Sequence, residues 1–194
     1  MALARAPVAR AAACGGSAAM RVALVRHLPT DLPPGLCYGR LDPPPRRGAD
    51  AAPLRAALSG FGPARWLCSP AQRCRALAGA LAEGALITED ARLLELDFGE
   101  WEGRAWNDVP RAALDAWAAD PWGFAPPGGE SGAALVARLR AFHADLRAAA
   151  PRKNCVVVAH GGPLKVLADL LAGHAVELLA PAQPMGSLRI LEAR

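Results

Sequence analysis

The chain has 194 residues, 53% apolar and 21% charged, which fits one domain that buries most of its unfolded surface and needs no disulfide or metal to fold. A net charge of +4, with no run of basic residues, suits a small anionic ligand and argues against nucleic-acid binding. Five cysteines, without Cys-x-x-Cys or Cys/His ligand spacing, predict reduced thiols in a cytoplasmic protein, and no long uncharged apolar stretch predicts a membrane span.

Residues 1–19 are rich in Arg and Ala and carry no acidic side chain. They predict a disordered N-terminal extension, with an upstream start or a transit segment as alternatives, and the folded domain is expected over 20–194. Arg21 to Val25 is an apolar run that predicts a buried strand ending at Arg26-His27. The prolines of residues 31–48 enforce a structured loop. A helix is expected over Asp50 to Leu58 and a strand over Arg65 to Cys68. Ser69 as N-cap and Pro70 at the first helical position then predict a helix to about Glu83. A short strand is expected near Leu86 and Ile87, and a short helix over Val109 to Ala119. The long helix expected over Glu130 to Ala149 places Leu135, Leu139, Phe142 and Leu146 on one face. Cys155 to Ala159 reads as a buried strand, Gly161 to Leu171 as a helix and Leu188 to Leu191 as an edge strand. Strands that alternate with helices predict an α/β fold, a three-layer α/β/α sandwich on a mostly parallel sheet. In such sheets ligands bind beyond the carboxyl ends of the strands. Three separated segments, at His27, at Ser69 and at His160, are therefore expected on one rim.

Those segments carry a recognisable chemistry. Read alone, Arg26-His27 is an ordinary strand cap, and His160-Gly161-Gly162 is an ordinary tight turn into a helix whose free amides favour an anion. Arg73 falls in the first turn of its helix, where a cation opposes the helix dipole and an anion beside it would be welcome. Glu95 lies in a turn-rich acidic and aromatic stretch, Leu94 to Gly103. Together, two imidazoles, two guanidinium forks and one carboxylate make a phosphoryl-transfer set. A neutral imidazole can attack phosphorus, a protonated one can steady the transferring oxygens, and a carboxylic acid can protonate the leaving alkoxide. No metal ligand set and no cofactor is expected, because side chains supply the positive charge.

The order Arg26-His27, Ser69-Pro70-x-x-Arg73, Leu-x-Glu-x-x-Phe-Gly-x-Trp-Glu-Gly, Pro-Gly-Gly-Glu-Ser and His160-Gly-Gly resembles the histidine phosphatase superfamily, the phosphoglycerate-mutase-like enzymes. The resemblance spans Met20 to about Leu191. It implies that His27 is the nucleophile, that Arg26 and Arg73 bind the phosphoryl group, and that His160 completes the pocket. It further implies that Glu95 is the proton donor, that Gly161 gives backbone approach to the phosphate, and that Thr30 is a hydroxyl near it. Leu28 and Pro29 depart from the family pattern, in which a glycine follows the first histidine. Gly35-Leu36-Cys37-Tyr38-Gly39-Arg40-Leu41-Asp42 is similar to a segment of alpha-ribazole phosphatases of cobalamin synthesis, and implies Tyr38 and Arg40 near the leaving group. A phosphate-monoester hydrolase acting on a small-molecule phosphate ester is the expected activity, with no nucleic-acid or membrane partner and with a homodimer left open. A broader sugar-phosphate phosphatase and a non-catalytic phosphate sensor are the competing readings.

Overall fold

The computed structural model describes residues 20–148 and 153–192. The extension expected at residues 1–19 lies outside them.

Five strands form one sheet: β1 (Arg21–Arg26), β2 (Ala64–Cys68), β3 (Ile87–Glu89), β4 (Asn154–Ala159) and β5 (Leu188–Glu192). Their spatial order is β3-β2-β4-β1-β5. The first four are parallel and β5 runs antiparallel along the edge. Helices α1 (Ala52–Leu58) and α2 (Gln72–Ala82) cover one face. Helices α4 (Gly132–Ala148) and α5 (Gly161–Ala172) cover the other, and α3 (Arg111–Ala119) belongs to the excursion between β3 and α4. The result is the three-layer α/β/α sandwich that the alternation of strands and helices predicts.

The period-2 rule shows how the continuous apolar strands serve both faces. In β1, Val22 and Leu24 enter the core under α4 and α5, whereas Ala23 and Val25 enter the core under α2. In β4, Cys155, Val157 and Ala159 take the first side, and Val156 and Val158 take the second. Each fully buried branched side chain contributes about 1.5–3 kcal/mol. A one-residue slip of either strand would exchange two cores that differ in volume.

One expectation is corrected. The helix after β2 starts at Gln72, with Ala71 in extended backbone as its N-cap and no side-chain cap. Ser69 lies two residues before the cap position, and its hydroxyl accepts from Ala71 N–H at 3.4 Å and bonds His160 at 2.8 Å. The first free amide of α2 is instead met from another loop, by Asp42, whose carboxylate oxygens accept from Gln72 N–H at 3.0 and 2.9 Å.

Between β3 and α4 the chain builds a small aromatic core of its own. Trp101 is buried, Phe98, Trp106, Trp117 and Phe124 pack around it, and Trp106 stacks on Trp117 with ring centroids 6.1 Å apart. This subdomain leans over the carboxyl ends of the strands through Glu95 and Phe98.

Candidate active site

The parallel strands β1, β2 and β4 end together, so His27, Ser69 with Arg73, and His160 meet at one rim. Backbone bonds fix their heights: His27 N–H donates to the Ala159 carbonyl at 3.1 Å and Ser69 N–H to the Val158 carbonyl at 2.9 Å. The His27 and His160 rings lie edge to face with centroids 5.3 Å apart. Both are buried, His27 at 2% exposure and His160 at 0%.

The partners of each imidazole define its tautomer. Nδ1 of His27 lies 2.7 Å from the Leu28 carbonyl, which only accepts, so Nδ1 carries the proton and Nε2 keeps its lone pair. Burial lowers the His27 pKa to about 4, and the Arg73 and Arg26 charges add to the shift against the opposing bond to Leu28. His27 is therefore neutral near pH 7, the form able to attack phosphorus.

For His160, Nδ1 accepts from Nη2 of Arg73 at 3.1 Å, so Nε2 carries the proton and donates to Ser69 Oγ at 2.8 Å. Burial first, and then the charges of Arg73, His27 and Arg26, hold its pKa well below the ordinary histidine value. The expectation of a protonated His160 is corrected accordingly: in the free protein, buried beside the Arg73 and Arg26 charges and with Nδ1 already accepting, this ring is neutral. Ser69 is a site residue that sequence reasoning mistook for a helix cap, because Ser-Pro before a helix has the same local appearance in either role.

Arg73 is 1% exposed and is held on every side but one. Nη1 donates to the Leu41 carbonyl at 2.9 Å and pairs with Asp42 at 3.2 Å, and Nη2 donates to the Gly39 carbonyl at 2.8 Å and to His160. Arg26 donates from Nη1 to the Gln183 carbonyl at 2.6 Å. The Nε atoms of both arginines are buried donors without a partner. An unsatisfied buried donor on a cation costs more than about 1–3 kcal/mol, a cost the fold carries at both arginines.

Glu95 approaches from the subdomain side. Its carboxylate accepts from its neighbour Leu96 N–H at 3.0 Å and from Gly162 N–H at 3.2 Å, at the start of α5. The sequence placed Gly162 in the turn after His160 without a role of its own, and a Cβ there would displace Glu95 Oε1. Gly161 serves differently, because a Cβ on it would press to 3.1 Å against the Arg26 guanidinium carbon. Behind Glu95, Arg138 of α4 donates to the carbonyls of Leu94 at 2.7 Å and Glu95 at 3.1 Å while gripping both oxygens of Glu130 at 2.7 and 2.9 Å. The Pro-Gly-Gly-Glu motif thereby supplies the partner of the arginine that holds the acidic loop.

Arg26, His27, Arg73 and Glu95 line one cavity of about 230 Å³, together with Leu36, Tyr38, Phe98 and Trp106. The Arg73 guanidinium lies over the Tyr38 ring at 5.4 Å, and the Tyr38 hydroxyl reaches the Met185 sulfur at 3.7 Å. Arg40 stands behind the site, with Nε on the Glu95 carbonyl at 2.9 Å and Nη2 3.7 Å from Glu130. Thr30 is buried in a bridge to Pro45, at the base of the Pro-rich loop. Among the described residues no cluster of three or more His, Cys, Asp and Glu side chains is arranged to hold a metal ion, and none of the helices is long and apolar enough to cross a membrane.

Comparisons with known proteins identify the family. The model of the histidine phosphatase superfamily (branch 1) matches residues 22–194. The adenosylcobalamin/alpha-ribazole phosphatase of Salmonella typhimurium is 32% identical over 156 residues, 76% of this chain and 77% of that protein. Phosphoserine phosphatase 1 of Hydrogenobacter thermophilus is 31% identical over 163 residues, 79% of this chain and 77% of that one. The crystal structure of the alpha-ribazole phosphatase from Shigella flexneri superposes with a TM-score of 0.80 at 27% identity, over 88% of this chain and 89% of that one. Matched along nearly its whole described length in sequence and fold, the chain belongs to the histidine phosphatase superfamily, branch 1, as a phosphoric monoester hydrolase.

Proposed function

We propose that the chain hydrolyses alpha-ribazole 5′-phosphate, or a 5′-phosphorylated cobalamin, to the nucleoside and phosphate in cobalamin biosynthesis, by way of a phosphohistidine at His27. Nε2 of His27 attacks phosphorus, the P–O bond to the ribose breaks, and Glu95 gives its proton to the departing oxygen. Glu95, now a carboxylate, takes a proton from water, whose oxygen breaks the P–N bond and releases phosphate. The guanidinium groups of Arg26 and Arg73, which line the cavity beside His27, bind the phosphoryl oxygens, held beforehand rather than reorganised at the moment of transfer. His160 completes the pocket from behind, its Nδ1 accepting from Nη2 of Arg73 and holding that guanidinium in place for the transferring group.

The observation that carries the substrate reading is the mixed lining of the cavity. Leu36, Tyr38, Phe98 and Trp106, apolar or aromatic, line it together with the charged residues. A flat benzimidazole nucleoside gains stacking and burial on such a lining. The ammonium and carboxylate of phosphoserine would have to be desolvated against it.

Phosphate release with EDTA present tests this. Alpha-ribazole 5′-phosphate is expected to exceed phosphoserine and 3-phosphoglycerate in kcat/KM by about tenfold or more, the size of discrimination that apolar contacts supply. A preference for phosphoserine would move the chain to the phosphoserine reading, and activity on an aryl phosphate alone would keep the phosphatase and discard the pathway.

A further inference from the structure

The segment from Tyr38 to Asp42 runs between two opposite charges. Its amides face a carboxylate: Glu102 accepts from the backbone N–H groups of Gly39 at 3.1 Å, Arg40 at 2.7 Å and Leu41 at 2.5 Å, and also from Phe98 at 3.1 Å. Its carbonyls face a guanidinium: Arg73 donates to Gly39 O and Leu41 O, with the Asp42 carboxylate alongside. A carboxylate has about four lone-pair directions, and Glu102 has four amides on them. Bonds to an ionised acceptor are roughly twice as strong as neutral ones. The segment also has no room to shift, because a Cβ at Gly39 would strike the Leu96 carbonyl and the Phe98 ring.

We propose that Glu102 is a positioning residue for the phosphate site, acting through this segment on Arg73. By accepting from Arg40 N–H, which shares a peptide plane with the Gly39 carbonyl, Glu102 turns that carbonyl toward Nη2 of Arg73, and by holding the flanking amides of Gly39 and Leu41 it fixes the segment against which the guanidinium plane is set. That plane determines where the unpaired Nε of Arg73 sits and keeps Nη2 on His160 Nδ1. Asp42 secures the far end of the segment by capping α2 while pairing with the same guanidinium. The inference rests on Arg73 being a phosphate ligand. It needs no assumption about the rest of the substrate.

The test uses inorganic phosphate as the probe. Glu102→Gln keeps the shape but turns an NH2 group toward amides that need an acceptor, and Glu102→Asp keeps the charge on a shorter arm. Calorimetry gives the phosphate Kd, nitrogen NMR of the imidazoles reports the hydrogen bond accepted by His160 Nδ1, and thermal unfolding checks the fold. Glu102→Gln is expected to weaken phosphate about 10–100-fold, the range for groups that orient a binding residue from behind. It should also move the His160 Nδ1 resonance toward a nitrogen without a donor, and Glu102→Asp should recover part of both changes. A folded Glu102→Gln protein with unchanged phosphate affinity and an unchanged His160 resonance would overturn the proposal, as would failure of both variants to fold. If the unsubstituted protein binds no phosphate, the phosphate-site reading itself falls and takes this proposal with it.

Discussion

Burial makes His27 a neutral nucleophile, and the same burial carries a stability cost in acid. In the unfolded chain an imidazole titrates near 6.5, whereas in the fold His27 titrates at about 4. Between these values the unfolded chain binds the extra proton, so stability is full above pH 6.5 and is lost as pH falls through the window to about 4. The loss approaches roughly 3 kcal/mol, because each tenfold drop in proton affinity on folding is worth about 1.36 kcal/mol. His27→Gln is expected to flatten this limb of the stability–pH curve, as measured by urea unfolding at pH 7 and pH 4.5, while abolishing turnover. An equally steep acid limb in that variant would assign the proton uptake to another group. At this scale, the titrating residues were legible because each follows an apolar run or stands in a short motif. Ser69, Gly162 and Arg138 were not, because their partners lie 91, 67 and 44 residues away along the chain, and a serine before a proline looks locally like a cap.

At the level of elements, the start of α5 does two jobs. It ends β4 at His160 and offers Gly162 N–H to Glu95, a favourable place for a carboxylate at a helix N-terminus. Gly162→Ala puts a methyl group against Oε1 and forces Glu95 away. The expected result is a fall in kcat of about 10²-fold, the usual effect of displacing a catalytic group by about an ångström. Phosphate affinity should hold, and the loss should deepen with poorer leaving groups. Rates for a series of aryl phosphates would show this as a steeper leaving-group dependence, and an unaltered dependence would remove Glu95 from the proton-donor role. Strands and long helices were readable from apolar patterning and Pro/Gly punctuation. The start of α2 was not, because its first amide is capped by Asp42, a residue from another loop. The single 3₁₀ turns at Ala91–Leu93, Gly99–Trp101 and Trp106–Asp108 were equally hidden. They are too short to carry a period and are fixed by packing on Trp101 and by Arg138.

Across the whole molecule, the parallel sheet brings to one rim residues that lie up to 133 positions apart, from His27 to His160. The rule that open α/β sheets bind at their carboxyl ends made that convergence readable from the chain alone. The contribution of residues 183–187 was not readable. This segment acts through its backbone, offering the Gln183 carbonyl to Arg26 and the Gly186 amide to the His27 carbonyl. No charged side chain within it announces a role. The central claim concerns the whole assembly: a neutral His27, in one cavity with two arginines, becomes covalently phosphorylated. The direct measurement is rapid quenching during turnover in base, followed by peptide mass spectrometry. The account predicts phosphate on the peptide bearing His27, stable to alkali, lost in acid and absent from His27→Gln. Continued turnover with no phosphate on His27, or with phosphate on another residue, would contradict it.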